Sequence, residues 1–306
     1  MIDVQNLSKY FGDTPALQEI SFNIQPGEVV GVLGPAGAGK TTLLRILTTY
    51  LPPSRGTARI AGFDICTHSL EVRRRIGYLP ADAALDPAMT VGEYLAFMAA
   101  LRRLPNRRQR VAEILAQFEL GRHTQTRIAG LSAGDHRRLA LAQAVLHSPE
   151  VLLLDEPTAG LSPTQLTGFH SLLAQTLQGR TVLLSTANLS DVERFCRRVL
   201  ILHKGQIMAE DTPAGLNARL QGEERIRLHT LNAPANALEV LQSLPDVQWV
   251  YPVSPNIFDI ECTTDTACRP VLAQLVVEQG WGLLELRPLE SSLEEFFIEL
   301  TTAQRP

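Results

Sequence analysis

The chain of 306 residues is short of several things, and each shortage excludes something. No apolar run approaches the ~18 residues that a helix needs to cross a bilayer, so no membrane span is expected. There is no excess of basic charge. The formal net charge is −4, which argues against a nucleic-acid binder held by bulk electrostatics. Cysteine is scarce: Cys66, Cys196, Cys262 and Cys268 have no metal-like spacing. Cys262 and Cys268 are near in sequence but fall on an expected strand and a following helix. Free thiols in a reducing compartment are the expectation for all four. The histidines, His136 and His203 among them, show no ligand spacing. Met1-Ile2-Asp3 has no basic stretch leading into an apolar one, so no secretory signal is expected. No tract is of low complexity, and nothing repeats at a fixed period.

What is present is an ordinary globular composition, with 45% apolar residues and a length that implies about two domains. The stretch Gly34-Pro35-Ala36-Gly37-Ala38-Gly39-Lys40-Thr41-Thr42 has the spacing of a phosphate loop. A strand-like run (Val29, Val30, Val32, Leu33) precedes it and a helix-like run (Leu43, Leu44, Ile46, Leu47) follows. In that setting backbone N–H groups point inward and cradle a polyphosphate at a helix N-terminus. Lys40 is expected at the β- and γ-phosphates as a point charge, Thr41 on Mg²⁺, and Thr42 on a phosphate oxygen. A second segment agrees. Val151-Leu152-Leu153-Leu154 is an apolar run of the kind buried in parallel sheets, and it delivers Asp155 and Glu156 to its carboxyl end. Asp155 is expected to hold Mg²⁺ through water, and Glu156 to activate an attacking water as a general base.

Along the chain, residues 1–27 read as strands with turns at Gly12-Asp13 and Pro26-Gly27, and 57–63 and 75–79 as further strands. From about residue 86 to 144 the pattern is helical, with Val91, Tyr94, Leu95, Met98 and Leu101 at helical spacing. Thr212 and Pro213 read as the cap and first position of a helix. The register changes near 220–224. Beyond it the order strand 225–230, helix 235–244, strands 247–252 and 257–262, helix 266–279, strand 282–287, helix 291–301 gives βαββαβ, the split arrangement of ferredoxin-like folds. Trp249 and Trp281 are expected in or near the core of that second unit. The expected domains are thus 1–218, with a helical insert about 86–144, and 224–306.

Leu131-Ser132-Ala133-Gly134-Asp135, followed by Arg138, Ala140, Leu141 and Ala142 and then by LLLDEPTAGLSP, resembles the signature and Walker B region of ABC ATPases. The resemblance covers about residues 1–215 in the family's motif order. It implies an α/β nucleotide-binding domain: a RecA-like core with a β subdomain and a helical insert. It implies an ATPase that binds ATP and Mg²⁺ and pairs with a second ABC ATPase subunit, as a homodimer or heterodimer. Ser132 and Gly134 then act on the partner's ATP, and Phe11 stacks on adenine; a core or edge role for Phe11 stays open. The ending Ser291-Ser292-Leu293-Glu294-Glu295-Phe296-Phe297 is similar to export-type members of the drug-resistance and gliding-motility groups. Their membrane subunits are separate chains. That implies a peripheral protein on the cytoplasmic, inner face of the cell membrane with transmembrane permease partners and no nucleic acid.

Four positions depart from the family pattern. Ala81 stands where a Gln reaches Mg²⁺ and the attacking water, and Ala187 where a switch histidine contacts the γ-phosphate. Ser162 replaces an acidic residue after Gly160-Leu161, and Asp135 replaces the signature Gln. Loss of a positioned acid–base or charge-stabilising group costs ~10²–10⁴ in rate. Two readings follow: an ATP-driven exporter subunit with weakened hydrolysis, and a catalytically degenerate clamp or regulatory subunit paired with a competent ATPase.

Overall fold

The computed structural model describes residues 1–215, 223–234, 236–263 and 268–288. The chain divides into two compact units, Met1–Pro213 and Ala214–Pro306.

The first unit is built from two sheets. In one, β1 (Ile2–Phe11), β2 (Thr14–Ile24), β4 (Arg55–Ile60) and β5 (Phe63–Asp64) pair antiparallel in the order β2-β1-β4-β5. The other runs β10-β9-β3-β8-β7-β6, from β3 (Val29–Leu33), β6 (Ile76–Leu79), β7 (Val151–Asp155), β8 (Thr181–Thr186), β9 (Arg198–His203) and β10 (Gln206–Asp211). All neighbours in it are parallel except the edge strand β10. Every residue of β7 and β8 is buried. This explains the continuous apolar runs: a strand covered on both faces has no solvent side on which to place polar residues.

Helix α1 (Lys40–Leu47) leaves the loop after β3, and Leu43, Leu44, Ile46 and Leu47 sink into a core that both sheets share. Helix α2 (Ser69–Arg75) places Arg73, Arg74 and Arg75 in its last turn, where cations suit the exposed carbonyls. The region expected to be helical contains α3 (Val91–Leu101), α4 (Arg107–Gln117) and α5 (Ala133–Val145). A reciprocal Thr90–Glu93 capping box starts α3. Val91, Tyr94 and Leu95 are buried as their spacing predicts, whereas Leu101, at the end of α3, is exposed. Helices α6 (Pro163–Leu177) and α7 (Leu189–Phe195) complete the unit. Residues 213–215 are helical after β10, where Thr212 and Pro213 place a helix start.

The second unit follows the order β11 (Glu223–Thr230), α8 (Ala237–Gln242), β12 (Val247–Ser254), β13 (Ile257–Thr263), α9 (Cys268–Glu278), β14 (Leu283–Pro288). Its strands form an antiparallel sheet in the order β12-β13-β11-β14. Ile226, Leu228, Phe258, Ile260, Leu272 and Trp281 are among its core residues. The helix expected at 291–301 lies outside the described residues.

Two expectations are corrected in this unit. Cys262 and Cys268 are not free thiols but are joined in a disulfide. The end of β13 and the start of α9 face each other with their Cα atoms 6.4 Å apart, inside the span of such a bond. A strand and a following helix therefore do not keep the two sulfurs apart, because Cys262 near the end of β13 and Cys268 at the start of α9 lie close in space. Cys66 and Cys196 are free thiols, as expected. Trp249 is exposed rather than core, since it stands with Tyr251 on the face of β12 opposite the buried Val250; Trp281 is buried.

At the end of α5, His147 Nε2 lies 2.9 Å from the Ile76 carbonyl of β6, while its Nδ1 is buried without a partner. Burial, reinforced by the nearby Arg102 and Arg110 charges, pushes its pKa down from 6.5 to about 4. A depressed folded pKa stabilises the fold above the unfolded value, and that stability is lost as pH falls from about 6.5 through 4. The urea midpoint should therefore drop between pH 7 and pH 4, and the drop should be smaller in His147→Gln.

Candidate nucleotide site

The loop from Gly34 to Gly39 joins β3 to α1, and its shape depends on two glycines. A Cβ on Gly34 would lie 2.3 Å from the Leu202 carbonyl oxygen. Gly39 has φ +106°, and a Cβ there would lie 2.5 Å from the Ala16 carbonyl oxygen. Only glycine fits both constraints. Gly39 is also the N-cap of α1 and provides no side-chain cap. The first-turn N–H groups of Lys40, Thr41 and Thr42 are therefore not satisfied by a capping side chain, and a helix start of this kind favours an anion. Ala38 N–H closes a turn onto the Pro35 carbonyl at 3.2 Å, while Ala36 and Gly37 form the exposed crest.

Lys40 is buried, and its ammonium is folded back into the loop. It donates to the Gly34 carbonyl at 2.6 Å and to the Pro35 carbonyl at 3.1 Å. Glu156 Oε1 lies 3.1 Å from the same nitrogen. The lysine and the acidic pair, 116 positions apart from Lys40 to Glu156 (156 − 40), are therefore brought together. Sheet order is the reason: β3 and β7 are separated only by β8, and all three end on the same side.

Asp155, the last residue of β7, is fully buried. Its Oδ1 accepts a hydrogen bond from Ser185 Oγ at 2.5 Å, and its Oδ2 is buried with no hydrogen-bond partner. A buried carboxylate oxygen left unpaired is costly. The donor set around it, a carboxylate with the Thr41 hydroxyl on the neighbouring helix, is the hard-oxygen chemistry that Mg²⁺ takes with retained waters. These residues therefore fit a magnesium ion. Burial and the Asp155 charge together hold the nearby Tyr78 hydroxyl neutral, pushing its pKa up to about 12. Glu156 adopts φ +45°, an uncommon conformation for a non-glycine residue. Its Oε2 accepts from the Ala187 N–H at 3.2 Å. Position 187 thus reaches the carboxylate through its main chain, with no side-chain donor.

Arg137, which sequence reasoning passes over, is central to the frame. It is buried on α5 and donates to the carbonyls of Pro157 (2.7 Å), Pro80 (3.0 Å), Ala81 (2.9 Å) and Asp155 (3.2 Å), and also to that of Glu156. One guanidinium thereby ties the segment after β6 to the segment after β7. Ser185 was also missed. Neither is marked by a motif, and an arginine in the charged first turns of a largely buried helix gives no signal of its carbonyl partners.

Ser132 caps α5: its Oγ accepts from Asp135 N–H at 3.1 Å and donates to Asp135 Oδ2 at 2.7 Å. Asp135 is also close to Arg122 (3.9 Å) and His123 (3.5 Å). Its charge is thus answered within the chain. Gly134 is buried, and a Cβ on it would meet the Gln165 side chain at 3.3 Å. Among the described residues no hydrogen bond joins Ser132 or Gly134 to the phosphate loop. Ser162 is the N-cap of α6, its N–H donating to Gln165 Oε1 at 3.1 Å ahead of Pro163. Phe11 is exposed at the tip of β1, with Lys9 Nζ 5.4 Å from its ring centroid.

A phosphate loop after β3 and an acidic pair at the end of β7, on the same side of a mostly parallel sheet, define the class of P-loop nucleotide-binding domains. Residues 17–159 match the ABC transporter family. The chain is 34% identical to the Nod factor export ATP-binding protein I of Burkholderia thailandensis, over 98% of this chain and 96% of that protein. It is 32% identical to the daunorubicin/doxorubicin resistance ATP-binding protein DrrA of Streptomyces peucetius, over 98% and 92%. Among solved structures, an ATP-binding cassette crystallised as a post-hydrolysis dimer with ADP and Pi superposes with a TM-score of 0.64 at 27% identity, over 70% of this chain and 99% of that one. The CbiO1 protein of Clostridium perfringens, part of the ABC transporter complex CbiONQ, gives 0.64 at 30%, over 71% and 90%. The chain belongs to the ATP-binding subunits of ABC transporters.

Removing the guanidinium should leave several buried carbonyls unpaired. Arg137→Ala is expected to lower unfolding free energy by about 1–3 kcal/mol, read from urea midpoints.

Proposed function

We propose that this chain is the ATP-driven subunit of an exporter, with residues 1–213 as the nucleotide-binding unit and 214–306 as an appended ferredoxin-like unit. The strand order β12-β13-β11-β14 supports the latter reading. The observation that carries the proposal is the meeting of Lys40 with Glu156, beside an Asp155 whose Oδ2 lacks a partner, in a chain that aligns nearly end to end with export ATP-binding proteins.

In this reading the phosphate loop amides, Lys40 and Thr42 bind the triphosphate, and Phe11 stacks on the base. Thr41 and Asp155 hold Mg²⁺, which when bound neutralises charge on the phosphate oxygens. Lys40 exchanges its Glu156 partner for phosphate oxygens, freeing the carboxylate to take a proton from the attacking water. Ser132 and Gly134 serve the ATP of a second cassette, as a homodimer or heterodimer. The dimeric cassette among the structural neighbours supports such pairing. A groove of about 970 Å³, lined in part by Tyr50, Tyr78, Leu85, Tyr94 and Met98 and flanked by Pro80 and Asp82, is the surface we assign to a transmembrane permease subunit at the inner face of the membrane. It adjoins Ala81, so the docking surface and the nucleotide end share one segment. No described helix is long and apolar enough to cross a membrane.

A second reading is favoured by one observation: position 187 meets Glu156 through its main-chain N–H, with no side-chain donor. A base without an imidazole beside it suits a slow site, in which the chain acts mainly as an ATP-operated clamp beside a competent ATPase.

Two measurements test these readings. Lys40→Ala should abolish binding of fluorescent MgATP analogues and cargo export; full retention of both would reject the nucleotide assignment. Ala187→His should raise steady-state kcat by about tenfold or more, while a rate equal to that of the unaltered chain would mean that the site is not limited by the missing imidazole.

A further inference from the structure

Behind the contact between Glu156 and Ala187 lies a buried polar cluster with no part in nucleotide binding. Asp191, on α7, is fully buried. Its Oδ2 accepts from Thr158 Oγ1 at 2.5 Å and from Thr186 Oγ1 at 3.3 Å. Its Oδ1 lies 3.3 Å from His170 Nε2 of α6, and neither of these two atoms has another hydrogen-bond partner. The His170 ring stands edge-on to Phe195, with centroids 5.5 Å apart. A carboxylate withdrawn this far from water persists only where donors surround it. The donors here come from three separate stretches of chain.

The placement of two of those donors is informative. Thr158 lies two residues beyond Glu156, in the turn closed by Ala159 N–H onto the Glu156 carbonyl at 3.1 Å. Thr186 directly precedes Ala187, and its hydroxyl accepts from Asn188 N–H at 2.9 Å. Asp191 therefore grips the two segments whose tips meet in the Ala187 N–H to Glu156 Oε2 hydrogen bond. We infer that Asp191, oriented by His170, is a positioning residue for Glu156: it fixes the spacing between the Glu156 turn and the 186–188 backbone, so that a main-chain N–H holds the base where position 187 has no side chain to do so. The inference rests on Glu156 being the general base. A misplacement of about 1 Å at such a base costs up to ~10²-fold in rate, so the grip acts on kcat rather than on nucleotide affinity.

His170→Phe keeps a ring beside Phe195 and deletes the nitrogen facing Asp191, while His170→Gln restores a donor. In full-length protein His170→Phe should lower kcat about ten- to a hundredfold with KM for MgATP little changed, and His170→Gln should recover most of it. In a Glu156→Gln background His170→Phe should have no further effect, because the two act as one unit. Amide exchange of the nucleotide-free chain should be faster at Ala187 in His170→Phe than in the unaltered protein. Unchanged kcat together with unchanged exchange would overturn the inference. So would a loss of stability and nucleotide affinity that Gln does not recover. If the unaltered chain has no turnover sensitive to Glu156→Gln, the reading of Glu156 as base fails on that result. Exchange at Ala187 then decides separately whether Asp191 sets the spacing.

Discussion

An ammonium with almost no water around it is the constraint on which the nucleotide end depends. Lys40 is buried, so its charge must be answered by the protein, and the answers are two loop carbonyls and the Glu156 carboxylate. A buried charge with incomplete partners is costly, and a polyphosphate satisfies it better than one carboxylate does. The same pairing keeps Glu156 occupied until an anion displaces it. In the proposed function, nucleotide binding and release of the base are one exchange of partners, set up by β3 and β7 ending on the same side, one on each flank of β8.

A second theme is the use of main chain where side chains are missing. At position 187, where the family resemblance implies an imidazole, the chain offers an N–H aimed at Glu156. At position 81, where it implies an amide, the chain offers a carbonyl bound by Arg137. Neither substitution leaves its segment unanchored. At position 162 a serine replaces an acid, and it starts α6 as a helix cap. At position 135 the carboxylate is engaged by Ser132 and lies near Arg122 and His123, so it is not a free negative charge at the helix start.

Much of this was legible in the sequence, for a physical reason. Lys40 and Thr41 lie within a run of nine residues whose spacing fixes a loop, and Asp155 and Glu156 end a run that only a doubly covered strand explains. Strands and helices of the second unit were legible where apolar positions alternate, as Ile226 and Leu228 do in β11, or recur at helical spacing, as Leu272 and Val276 do in α9. The rest depends on contacts that no local pattern encodes. Arg137 binds carbonyls 18 to 57 positions away. Asp191 and His170 are an acid and an imidazole on different helices, each unremarked in its own neighbourhood. The Cys262–Cys268 link depends on the approach of the end of β13 to the start of α9, and the exposure of Trp249 on which face of β12 it occupies.

The Arg137 fan has one more implication. All five of its partners are peptide oxygens, which every amino acid carries. The scaffold that aligns the two segments is therefore blind to what those positions display. Natural variation at 80, 81, 156 and 157 can alter the chemistry on offer while the geometry stays put, much as tools are swapped in a fixed holder. Position 81 therefore keeps its place in the frame whatever side chain it carries.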